Sequence, residues 1–295
     1  MSTKIEWTDA TWNPVTGCSK VSPGCAHCYA EAVTQRYAGR PGWPADFKPW
    51  TPDNAAANVV LHPERLDAPL HWRKPRRVFV NSMSDLFHEQ VPDEFIDRVF
   101  AVMALCEQHT FQILTKRPER MLAFCSREAH WWGNKAGIAR RADYGKPLPN
   151  VHLGVSAENQ HWADERIPLL LQTPAAVHFI SAEPLLGDLN IEPWIPVNAH
   201  STYRAARGAV KYASLPSLDW VIVGGESGAG HRPMDLAWVR SLRDQCRAAG
   251  VAYFGKQAGG PRPGIPLPGD LGDQEAVLGE RDVYGDQVYS VIPLV

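Results

Sequence analysis

From Arg77 onward the chain repeats one pattern, a short run of apolar and often β-branched residues followed by a stretch with helical spacing. The apolar runs are RVFVNS (77–82), TFQILTK (110–116), VHLGVSA (151–157), AVHFISAEP (176–184), DWVIVGGESG (219–228) and VAYFGKQ (251–257). Helical spacing fills 92–108, 117–132, 164–174 and, closed by a glycine, 235–250. Short strands that alternate with helices predict βαβ units and a parallel sheet. The runs are apolar at nearly every position instead of every second one, which is what strands covered on both faces require. Two further strands are expected near Thr11–Val15 and Asn58–His62, bringing the number close to that of a barrel.

Polar residues gather where these runs end: Ser82 and Asp85, Thr115 and Lys116, Ser156 and Glu158, Ser181 and Glu183, Gly224 to Glu226, Lys256 and Gln257. Turn residues alone would supply Gly, Asn, Asp and Pro, not Lys and Glu repeatedly. In (β/α) barrels the site is built from the βα loops at the C-terminal ends of the strands. The expectation is therefore an α/β fold, a partial or complete (β/α) barrel of parallel strands with outer helices, in one domain over residues 1–295. The stretch 192–218 reads as a loop insertion, and 257–295, Pro/Gly-rich at its start, as a closing segment.

A net charge of −2 leaves any nucleic-acid contact to a local patch. The N-terminus has no apolar segment of the kind that begins a secretory leader, and no run of residues is long and apolar enough to span a bilayer. The expectation is a cytoplasmic protein without a membrane partner. Of six cysteines, Cys106, Cys125 and Cys246 lie in apolar helical contexts and read as small buried hydrophobes.

The other three stand together in TWNPVTGCSKVSPGCAHCYAEA, as Cys18, Cys25 and Cys28. Clustered thiols in a reducing compartment point to a metal or cluster site, and thiolates favour zinc, copper(I) or iron–sulfur clusters. A structural zinc site brings four ligands in two close pairs. No second CxxC and no HxxxH pair occurs, and His27 falls between two of the thiols, where its side chain would point away from them. Three thiols on a 4Fe–4S cluster would leave one iron open. Gly17, Pro23 and Gly24 let the loop wrap a bulky inorganic group, and a helix starting near Cys28 would aim its dipole at an anionic one.

A strand, a three-cysteine loop ending CxxCYA and a helix, in a chain of βα repeats, resembles the radical S-adenosylmethionine (SAM) superfamily. NSMSDLF (81–87), the helix at 92–108 and ILTKRPERM (113–121) follow the order of its spore photoproduct lyase-like branch. The chain as a whole resembles a phage- and prophage-associated family of uncharacterised three-Cys-motif proteins through TWNPVTGCSKVSPGCAHCYAE, FVNSMSDLFHE, ILTKRPERM, GVSAENQ, ISAEPLLG and VGGESG. The superfamily's common pattern is C-x3-C-x2-C, whereas six residues, Ser19 to Gly24, separate the first two cysteines here.

The resemblance implies that Cys18, Cys25 and Cys28 ligate a 4Fe–4S cluster and that SAM takes the open iron. Reductive cleavage of SAM would give a 5′-deoxyadenosyl radical that acts on a substrate, with an electron donor such as flavodoxin or ferredoxin. It places Asp85 near the methionine amine. Lys116 becomes a contact for the SAM carboxylate or a substrate anion, and with Glu183 and Glu226 a candidate catalytic residue. Ser82, Ser156, Glu158, Gly224 and Gly225 become candidate cofactor contacts. Each has a plain alternative: a cap or turn for Asp85, a solvated strand-end lysine for Lys116, a tight turn for GGESG, which lacks dinucleotide and P-loop spacing. HWRKPRRV (71–78), KRPER (116–120) and Trp43, Trp131 and Trp132 are compatible with a nucleic-acid substrate. Two other functions stay open. One is a non-catalytic iron–sulfur or zinc protein that binds nucleic acid. The other is a metal-dependent hydrolase using Asp85, Glu158, Glu183, Glu226 and the histidines at the barrel mouth, against which no HxH or HExxH spacing occurs.

Overall fold

The run VHLGVS forms a strand, Val151–Ser156, that is buried at every position, as burial on both faces demands. It belongs to a computed structural model that describes residue 3 and residues 5–127, 147–196, 216–272, 280–281 and 287–288. The chain divides into two compact units, residues 1–156 with 173–176, and residues 157–172 with 177–295.

The first unit begins with β1 (Ala10–Trp12), β2 (Val15–Thr16) and helix α1 (Tyr29–Tyr37). After the one-turn helix α2 (Ala55–Asn58), β3 (Val60–Leu61) returns antiparallel to β2. Then come β4 (Arg77–Val80), α3 (Asp93–Leu105), β5 (Thr110–Thr115), α4 (Pro118–Cys125) and β6 (Val151–Ser156). β1 pairs with β4, β4 with β5 and β5 with β6, all parallel. Helix α3 turns Phe95, Ile96, Val99, Phe100 and Met103 inward, one face of a 3.6-residue period, and Asp93 and Glu94 complement its positive end.

The second unit holds α5 (Gln160–Gln172), β7 (Val177–Ala182), β8 (Trp220–Gly224), α6 (Leu236–Ala249) and β9 (Ala252–Gln257). β7 pairs with β8 and β8 with β9, again parallel. The Asp235 side chain accepts the Ala237 amide at 2.8 Å to cap α6, and Gly250, at φ +71°, ends it in the left-handed conformation expected of a glycine stop.

In strand order the first unit reads β1-β4-β5-β6 and the second β7-β8-β9. The expected α/β class, with parallel strands and flanking helices, is what forms, in its open, partial version. Cys106, Cys125 and Cys246 are buried, as expected. Of the insertion, residues 197–215 lie outside the described residues, as does most of the closing segment beyond Gly272 and the pair Trp131 and Trp132. Among the described residues no helix is long and apolar enough to cross a membrane.

Candidate functional site

The cysteine loop leaves β2 at a residue that has to be glycine. Gly17 stands at φ +82°, and a Cβ on it would lie 1.8 Å from the Asn58 carbonyl oxygen. Its amide bonds the Met83 carbonyl at 2.9 Å, which ties the loop to the segment after β4. The six-residue stretch between the first two thiols is pinned at Lys20, whose amide bonds the Trp50 carbonyl at 3.0 Å and whose ammonium pairs with Glu31 at 2.8 Å. Cys25 closes a single 3-10 turn, Pro23–Cys25, and Cys28 is the N-cap of α1. Burial pushes the Cys18 thiol up to about 12 while Arg117 pulls it down. Burial also raises Cys28, against the amides of Glu31 and Ala30.

The three thiols line one cavity of about 150 Å³, wholly within the first unit, together with Ser82, Asp85, Lys116 and Ser156. Those four stand at or just beyond the C-terminal ends of β4, β5 and β6. The volume is about five times the ~30 Å³ share of one water molecule. Among the described residues no three His, Cys, Asp or Glu side chains converge as a single metal ion requires. Three soft donors beside the cations Lys116 and Arg117 make a lining that suits a thiophilic, anionic group.

Asp85 is fully engaged. Oδ1 accepts the Phe87 amide at 3.0 Å and the Thr115 hydroxyl at 2.7 Å; Oδ2 accepts the Lys116 amide at 3.1 Å and Arg117 Nη1 at 3.2 Å. Those four bonds fill a carboxylate's acceptor positions, so Asp85 clasps the ends of β4 and β5. Arg117 is equally committed. Nε donates to Glu89 at 3.1 Å, Nη1 to Asp85 and to Cys18 Sγ at 3.6 Å, and Nη2 to the Ser19 carbonyl and hydroxyl, both at 3.1 Å. His88 joins from the far side. Burial and the Arg117 charge push it down to about 4, and its Nδ1 accepts the Gln90 amide, so the neutral ring donates from Nε2 to Ser19 Oγ at 2.9 Å. Sequence reading gave none of Ser19, His88, Glu89 or Arg117 a role at the cavity; Ser19 entered as the start of the gap and Arg117 only within KRPER. The available signal was the same as for Lys116: Arg117 stands just past the end of a strand, where the site of such a fold is built.

The remaining candidates belong to the second unit, where each carboxylate faces a cation. Glu158, fully buried, meets Arg166 at 2.9 Å, and the Arg166 guanidinium lies 4.2 Å above the Trp162 ring. Glu183 takes Lys256 at 2.8 Å and the Ser181 hydroxyl at 3.0 Å. Glu226 is gripped by Arg232 through its amide at 2.8 Å and its Nε at 3.0 Å. Close approach is indeed why the two glycines are glycines, but it is an approach to their own chain. A Cβ on Gly224 would lie 2.5 Å from Glu183 Oε1, and one on Gly225 2.1 Å from the Gly259 nitrogen.

The basic stretches part company. Residues 71–76 lead into the N-terminal end of β4, away from the end that borders the cavity. Arg73 and Lys74 are exposed there, Arg76 lies 5.2 Å above Trp72, and Arg77 pairs with Asp9 at 3.0 Å. In KRPER, Lys116 reaches the cavity, while Arg120 pairs with Asp93 at 2.8 Å. Trp43 stacks on Tyr37 at 5.1 Å. A family model described as a protein of unknown function (DUF5131) matches residues 2–266. No curated protein and no solved structure matches the chain at a significant level.

Proposed function

The chain belongs to that family, and we propose that it is a radical SAM-type iron–sulfur enzyme. The observation that carries the reading is the cavity itself: three thiols line one space beside strand ends, and among the described residues no further cysteine or histidine lines it. Cys18, Cys25 and Cys28 would hold three irons of a 4Fe–4S cluster, and the fourth would be open to SAM. When bound and reduced, that pair of cofactors supplies one electron and a carbon-centred radical for hydrogen abstraction. Lys116 brings a positive charge to the cavity wall for a carboxylate, and Ser82 and Ser156 bring hydroxyl groups. The loop and α1 leave the thiols half-buried, and that burial raises Cys18 and Cys28. Asp85 acts through Arg117 and the β4 and β5 ends. Glu158, Glu183 and Glu226, each already answered by a cation, weigh against the hydrolase reading, which needs carboxylates available to a metal.

An electron donor of flavodoxin or ferredoxin type follows from the same resemblance. We infer nucleic acid as the substrate class. The exposed Arg73 and Lys74 support it, although they border the opposite end of β4 from the cavity. The test is anaerobic reconstitution with iron and sulfide, reduction with dithionite, and assay of SAM for 5′-deoxyadenosine. Brown, iron- and sulfide-loaded protein that forms 5′-deoxyadenosine is expected, and simultaneous Cys18→Ala, Cys25→Ala and Cys28→Ala should abolish both. Zinc in place of iron sinks the reading. Cluster without 5′-deoxyadenosine supports the non-catalytic iron–sulfur protein instead.

A further inference from the structure

We propose that Arg117 is a positioning residue that grips the long first cysteine gap and, through its charge on Cys18, tunes the iron–sulfur group that the thiols would hold. The inference rests on the cluster reading above. A guanidinium has five N–H donors, and all five have acceptors here. They are Glu89, Asp85, Cys18 Sγ, the Ser19 carbonyl and the Ser19 hydroxyl. Two of the five fall on Ser19, the first residue of the six-residue gap. The length that departs from the C-x3-C-x2-C pattern is therefore anchored at once, at a point that a cation 98 residues away can hold.

Arg117 is largely buried and meets Cys18 and two carboxylates, Asp85 and Glu89. A cationic N–H on a ligand sulfur favours the more negative, reduced state of the group that the sulfur binds, and so raises its reduction potential. The carboxylates offset part of that charge. Glu89, 57% exposed at its side chain, is the part that can be changed without opening the interior. Lysine is no substitute: its three donors on a flexible stem cannot reach carbonyl, hydroxyl, sulfur and two carboxylates together.

The experiment compares wild type, Arg117→Lys, Arg117→Gln and Glu89→Gln after anaerobic reconstitution. Iron retention against a chelator and the midpoint potential, followed by electron paramagnetic resonance, are the readouts. Arg117→Gln should move the potential negative and Glu89→Gln should move it positive. Both Arg117 variants should lose iron about 10- to 100-fold more readily, the usual cost of removing a group that supports a metal ligand. Circular dichroism checks folding; if Arg117→Gln does not fold, the positive shift in Glu89→Gln decides alone. Wild type that holds a cluster while the folded variants keep its potential and iron overturns this inference only. Wild type that takes up no iron and sulfide overturns the cluster reading, and this inference with it.

Discussion

Replacing Glu158 by glutamine removes the charge that faces Arg166 while keeping the side chain's volume. The two side chains are 0% and 2% exposed and 2.9 Å apart, so water does little to screen the arginine once its partner is neutral. Breaking a buried pair from one side costs about 3–5 kcal/mol, because a charge is left behind in a poorly polarisable interior. At about 2–4 °C per kcal/mol, that corresponds to a fall of roughly 6–20 °C in the melting temperature of the second unit. Arg166 also lies flat on Trp162, so Arg166→Met keeps much of the packing when the charge goes. The double variant Glu158→Gln, Arg166→Met should then be more stable than Glu158→Gln alone, a coupling that a urea-denaturation cycle measures directly. A loss below about 1 kcal/mol in Glu158→Gln would refute the reasoning. It would return Glu158 to the list of residues kept for a ligand.

Gly17→Ala should destabilise the first unit by more than the roughly 1–2 kcal/mol that a left-handed backbone costs an alanine, since its Cβ also meets Asn58 at 1.8 Å; an unchanged urea midpoint would contradict this. Asp85→Asn turns one acceptor oxygen toward donors as an amide nitrogen and should cost about 1.5–3 kcal/mol, read from the same transition. His152 is buried in β6 and held by desolvation down to about 4, so the folded chain binds its proton less readily than the unfolded chain does. Its contribution is thus intact above about pH 6.5 and is lost as pH falls toward 4, by about 2 kcal/mol at pH 5. A urea midpoint measured from pH 7 to 5 should fall less in His152→Leu than in wild type, and equal slopes would disprove the assignment.

The strands and helices were legible in the chain because their causes are local. Continuous apolar runs such as VHLGVS suit a strand covered on both faces, and Gly250 ends α6 through its own φ. The three cysteines stood out by residue type and spacing alone, and the cavity they share with Lys116, Ser82 and Ser156 lies where the strand-end rule puts a site. What a polar strand-end residue does could not be read the same way. Asp85 and the three glutamates looked alike in sequence. One fastens Arg117 beside the cysteine loop, and the others are paired with Arg166, Lys256 and Arg232. HWRKPRR and KRPER were both simply basic in sequence; the fold sets the first at the N-terminal end of β4 and carries Lys116 of the second to the cavity. Charge pairing depends on distance and on exclusion of water, and the chain path sets both. Arg117 reaches Cys18 across 99 residues because parallel strands bring their ends together, a neighbourhood that exists only in the folded sheet.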